Sequence, residues 1–128
     1  MTISIRPAMG AALAALSLVC GGQAAQAADA KAGEAIFKQR CQMCHVIAPG
    51  QKGVMAPNLT GVIGRKAGSG DFAAYSPALK AWGKAWTPDL IEQFITAPAK
   101  LVPGTRMVMT VPTATDRANL VAFLATKR

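Results

Sequence analysis

The chain has 128 residues, with 14 Lys and Arg against six Asp and Glu, a formal charge of +8, one histidine and three cysteines. That length fits one domain, and no internal repeat, low-complexity tract or linker divides it. A charge of that sign calls for an acidic partner, a nucleic acid or an anionic membrane, and the basic residues, scattered from Lys31 to Arg106 without a dense block, weigh against nucleic acid.

In chain order, the first segment reads as a secretory signal. Arg6 gives a positive start, Met9 to Val19 is almost wholly apolar, and Ala25-Gln26-Ala27 offers a small-x-small cleavage site. The apolar run is short for a bilayer span, which needs about 20 residues. Residues 1–27 are therefore read as a signal peptide, and 28–128 as the mature domain. An uncleaved anchor is the alternative. Cleavage before Cys20 is disfavoured because Val19 is a poor small residue there.

Asp29 can cap a first helix running to about Arg40, with Gly33, Ile36, Phe37 and Cys41 on one face. From Val46 to Phe72 the chain is rich in Gly and Pro and reads as a long loop. Ser76-Pro77 can start a short helix through about Trp82. Thr87-Pro88-Asp89 combines a cap, a proline for the first helical position and an acid for the positive helix end. Leu90, Ile91, Phe94 and Ile95 would face inward, and that helix should stop near Pro98. Pro103-Gly104 marks a turn, and Thr113-Ala114-Thr115-Asp116 resembles the cap of a last helix carrying Leu120, Phe123 and Leu124. No stretch alternates as a strand would, so the fold class is all-α. The core looks thin for a domain of this size, and a buried planar cofactor would supply the missing apolar surface.

Once the signal peptide is gone, two cysteines remain, in Cys41-Gln42-Met43-Cys44-His45. Cys-x-x-Cys-His is the attachment pattern of c-type haem. Two thiols add across two vinyl groups at one porphyrin edge, and an imidazole placed immediately after them can reach the iron from one face. His45 is the only histidine, so no other imidazole competes. Three other readings are weaker. A thioredoxin-like pair wants a βαβ context, a structural zinc site wants four N or S ligands, and a plain disulfide leaves the histidine unexplained.

The mature chain resembles the soluble class I c-type cytochromes, the mitochondrial cytochrome c group and its short bacterial relatives. The likeness runs from Asp29 to about Leu124. It rests on Gly33 and Phe37, on Ala56-Pro57-Asn58-Leu59, on Gly64-Arg65-Lys66, on Tyr75 and Trp86, on Pro103-Gly104-Thr105-Arg106-Met107, and on Leu120 and Phe123. No gap is needed between His45 and Met107. The resemblance implies a small cytochrome c fold, helices and loops wrapped around one haem c bound through Cys41 and Cys44, with the first and last helices crossing at Gly33.

It also implies roles. His45 and Met107 would be the two axial ligands, a pair that raises the reduction potential. The Pro57 carbonyl would orient His45. Arg65, Tyr75 and Trp86 would hydrogen-bond or neutralise the propionates. Of the other methionines, Met109 is the nearest rival for the iron, ahead of Met43 and Met55. The family's usual Tyr before the Met loop is Phe94 here, its aromatic after the Met is Met109, and a usual Asn is Leu79, so the Met side is more apolar. The implied function is a monomeric periplasmic one-electron carrier, not an enzyme, between a membrane quinol-oxidising complex and an oxidase or photosynthetic centre. Acidic faces of redox partners would dock on Lys38, Arg40, Lys52, Lys100 and Arg106. The rival is a dedicated haem subunit of a dehydrogenase, or a gas-binding or peroxidase haem protein.

Overall fold

In the computed structural model, which describes residues 26–128, Asp29 opens the first helix. Its carboxylate accepts the N–H groups of Lys31 at 2.8 Å and Ala32 at 3.3 Å, and α1 runs Ala30–Arg40. Lys38 and Arg40 fall in the last turn, where they face the negative end of the helix dipole. The expected signal peptide lies, except for its last two residues, outside the described residues.

Two further helices start as their sequences predict. The Ser76 hydroxyl accepts from Leu79 N–H and opens α2 (Pro77–Trp82), which closes on the left-handed Gly83, φ 62°. The Thr87 hydroxyl accepts from Leu90 N–H and opens α3 (Pro88–Thr96). Pro98 ends α3, but it also begins a turn that the sequence reading did not contain, α4 (Pro98–Leu101), closed by Val102 N–H on the Pro98 carbonyl. Proline suits that first position because its missing N–H would have no helical partner.

The last helix, α5, runs Ala114–Ala125. Thr113 occupies the cap position as expected, yet its side chain makes no capping bond. The turn is held instead by Arg117, whose backbone N–H reaches the Thr113 carbonyl.

The main helix seam is α1 against α5. A Cβ on Gly33 would sit 1.9 Å from the Asn119 carbonyl oxygen, so only glycine permits this approach. Asn119, itself buried, accepts from Asp29 N–H at 2.8 Å and ties the start of α1 to α5. Phe37 and Phe123 meet at 5.6 Å between ring centroids. The core continues through Trp86, Ile91, Phe94, Ile95, Val102, Val111, Leu120 and Leu124. Ile36 and Leu90, both expected inward, are only partly buried and pack on its rim.

The long loop forms no strand among the described residues; Lys66 and Ala85 make an isolated bridge. Backbone bonds clamp it there: Gly64 N–H to Trp86 O, Trp86 N–H to Arg65 O, and Ala67 N–H to Lys84 O, all between 2.7 and 2.9 Å. Gly61 N–H to Lys127 O, 2.7 Å, fastens it to the chain end. No helix among the described residues is long and apolar enough to cross a membrane.

Candidate haem site

Cys41 is the C-cap residue of α1, and the chain then turns tightly, with Cys44 N–H and His45 N–H both on the Cys41 carbonyl. The two thiols are unbridged, Cys41 half-buried and Cys44 exposed. Burial pushes the Cys41 thiol up to about 11; Arg40 opposes this weakly and Cys44 adds to it.

His45 Nδ1 lies 2.8 Å from the Pro57 carbonyl oxygen. A carbonyl only accepts, so Nδ1 carries the proton and donates, and Nε2 is left with its lone pair. Burial lowers the imidazole pKa, and the Pro57 bond opposes that in part, so the ring is neutral near pH 7. Pro57 is held in turn by its neighbour. The Asn58 side-chain amide donates to the carbonyls of Ala48 and Gln51, both at 2.7 Å, while its oxygen accepts Thr60 N–H at 2.8 Å. Asn58 had no assigned role in the sequence reading beyond its place in the family's tetrapeptide. Its partners are loop carbonyls, which no residue pattern displays.

Arg65, Tyr75 and Trp86 come together. Trp86 N–H bonds the Arg65 carbonyl, and Gly70 sits against both the Tyr75 hydroxyl and the Arg65 guanidinium. Tyr75 and Trp86 are buried; Arg65 is half-buried and already donates to the carbonyls of Asn58 (2.8 Å) and Thr60 (3.1 Å).

Gly104, at φ 90°, makes the turn before Met107, and Thr105 N–H closes it on the Val102 carbonyl. The Thr105 hydroxyl accepts Met107 N–H at a long 3.4 Å. Met107 is half-buried and packs against the core, whereas Met109, Met55 and Met43 are 46%, 71% and 82% exposed.

These donors fit an iron porphyrin: two unbridged thiols two residues apart, a neutral imidazole with one nitrogen to spare, and a thioether against the core. They do not fit a structural zinc ion, since no three His, Cys, Asp or Glu side chains converge among the described residues.

A helical wrap around such a donor set defines a c-type cytochrome. Residues 28–124 match the family model described as cytochrome C oxidase, cbb3-type, subunit III. The chain is 43% identical over 100 residues to cytochrome c2 of Rhodoblastus acidophilus, covering 77% of this chain and 92% of that protein. It is 40% identical to cytochrome c of the plant Guizotia abyssinica, covering 78% and 91%. Among solved structures, cytochrome cH from Methylobacterium extorquens superposes with a TM-score of 0.71 at 40% identity, covering 77% of this chain and 99% of that one. The chain belongs to the class I c-type cytochromes. The chain is a monohaem electron carrier and not an enzyme.

Proposed function

We propose that this cytochrome is a periplasmic shuttle which takes electrons from a membrane quinol-oxidising complex and delivers them to a terminal oxidase or photosynthetic centre. The observation that carries the site assignment is the His45 Nδ1 to Pro57 hydrogen bond of 2.8 Å, directly after an unbridged thiol pair. Cys41 and Cys44 would hold one haem c through thioether bonds, and His45, through Nε2, together with Met107 would supply the protein ligands of its iron. When bound, the haem iron supplies a one-electron couple. Around it the chain fixes geometry: Pro57 orients the imidazole, and Asn58 holds the loop that presents Pro57. Arg65, Tyr75 and Trp86 would neutralise or hydrogen-bond the propionates, while Arg65 also donates to the carbonyls of Asn58 and Thr60. With both His45 and Met107 as ligands, the iron would have no open position, which would suit electron transfer over gas binding.

The segment 1–27 is read as a cleaved signal peptide that delivers residues 28–128 to the periplasm as a soluble monomer. The family model's description as an oxidase subunit and the cytochrome c2 relatives both support a respiratory or photosynthetic setting. Docking relies on the exposed cations Lys38, Arg40, Lys52, Lys100 and Arg106 meeting acidic partner faces. Lys38 and Lys52 already pair with Glu34 (2.8 Å) and Asp71 (3.1 Å), so the field is weaker than five cations suggest. Exposed charge is screened over about 8 Å at physiological salt, so it speeds encounter more than it tightens the complex.

The test uses the secreted holoprotein with quinol-fed membranes and, separately, with carbon monoxide. The reading predicts rapid reduction by the membranes, slower at high ionic strength, and little spectral response of the reduced protein to carbon monoxide. Strong carbon monoxide binding, or no reduction except by a co-purifying dehydrogenase, contradicts it.

A further inference from the structure

Arg117 stands where local forces disfavour it. It lies in the first turn of α5, near the positive end of the helix dipole, where acids are preferred. Its side chain is only 14% exposed, and burying a guanidinium is costly unless its donors are matched. The match is incomplete, for Nε sits 3.7 Å from Glu92 Oε1, too far for a hydrogen bond, and has no other partner.

What the side chain does make is a pair of bonds backward along the chain. Nη1 donates to the carbonyls of Val111 at 3.0 Å and Pro112 at 2.7 Å. Val111 is buried, and its own N–H donates to the Ile95 carbonyl of α3 at 2.8 Å. The exit of the Met107 loop is thus fastened from both sides, by α3 through one backbone group and by Arg117 through the next. At the entrance, Val102 is buried and bonded to Pro98. Between these anchors Val108, Met109 and Thr110 are exposed.

We infer that Arg117 is a positioning residue: through its bonds to the Val111 and Pro112 carbonyls it holds the Met107 loop in the arrangement that keeps the thioether on the iron. The inference rests on Met107 being the axial ligand. Charge-assisted bonds to carbonyls are among the stronger single interactions available, and bonds to buried backbone oxygens leave those oxygens unsatisfied when removed. Glu92 neutralises the guanidinium from the α3 side, which makes it the supporting member of the pair.

The test is Arg117→Gln, Arg117→Lys and Glu92→Gln in the haem-loaded protein. The readouts are the weak sulfur-to-iron charge-transfer band of the oxidised form during heating, helical circular dichroism over the same range, and carbon monoxide binding to the reduced form. Arg117→Gln should raise the Met-off population about tenfold, so that the band is lost well before the helices melt and carbon monoxide binds more readily. Arg117→Lys, which keeps one charged donor, should recover part of this. If Arg117→Gln loses the band only together with the helices, the residue is merely structural and the inference fails. If Arg117→Gln yields no folded holoprotein, Glu92→Gln decides. A band lost ahead of the helices supports the role, and a band that melts as in wild type overturns it. A wild-type protein without the band, or one whose band survives Met107→Ala, would overturn the ligand assignment itself, which is a separate failure.

Discussion

The segment after His45 and the segment carrying Met107 are both loops, yet they are held in different ways. Residues 46–67 are tied at many points on either side of an exposed tip at Val54 and Met55: Leu59 N–H to Val46, Asn58 to Ala48 and Gln51, Arg65 to Asn58 and Thr60, and the three backbone bonds to residues 84–86. The Met107 loop is tied mainly at its ends, at Val102 and Val111, with Arg106 reaching the Ala74 carbonyl at 2.8 Å between them. Val108, next to Met107, is 88% exposed. A loop bonded at many points around its functional contact opens mainly with the fold, whereas a loop bonded mainly at its ends can open locally. The histidine side should therefore fail with the protein, and the methionine side before it.

The largest expected effect breaks the two sides separately. His45→Ala should leave almost no folded holoprotein, because the nearest alternative imidazole does not exist in this chain. Met107→Ala should keep its haem, lose the charge-transfer band, fall in potential and bind carbon monoxide. Holoprotein yield by pyridine haemochrome and the carbon monoxide spectrum check both, and equal yields would remove the asymmetry.

Next comes the helix seam, which serves both sides alike. Gly33→Ala places a methyl group where the Asn119 carbonyl already stands, and overpacking of this kind costs about 3 kcal/mol. Guanidinium unfolding should register the loss, with no carbon monoxide binding by the protein that remains folded. Opening of the iron without loss of global stability would place the damage in the wrong region.

A smaller pair sharpens the contrast. Asn58→Ala removes three hydrogen bonds and should cost about 2 kcal/mol without exposing the iron. Thr105→Val removes one long bond to Met107 N–H and should cost under about 1 kcal/mol, yet raise carbon monoxide binding measurably. The reverse ordering in either readout would contradict the division. Smallest of all, Met109→Ala changes a side chain nearly half exposed and should shift stability by no more than about 0.5 kcal/mol, with the band intact.

Much of this architecture is legible in the sequence because its signals are local. Asp29, Ser76 and Thr87 cap through bonds two or three residues long, and the reading from those residues places α1, α2 and α3 correctly. The resemblance added the loop and turn identities that periodicity leaves blank. α4 was missed because a proline reads equally as the end of one helix and the first residue of another. Thr113 looked like a capping residue, but a side chain only permits a cap, and here the hydroxyl makes no such bond. Asn119 and Arg117 were not legible. Asn119 acts 90 positions away, and Arg117 binds carbonyls five and six residues back, which no side-chain pattern encodes. For Arg65 the family likeness suggested propionate contact, while the structure adds its bonds to Asn58 and Thr60.

The central claim is that one haem is bonded to Cys41 and Cys44 in a chain cut after Ala27. Intact mass of the secreted protein, taken before and after acid-acetone extraction and read beside a pyridine haemochrome spectrum, tests it in one experiment. The account predicts the mass of residues 28–128 plus a single haem, unchanged by extraction, with a haemochrome typical of two thioether bonds. A mass that falls by one haem on extraction, or a chain that never carries one, would contradict it.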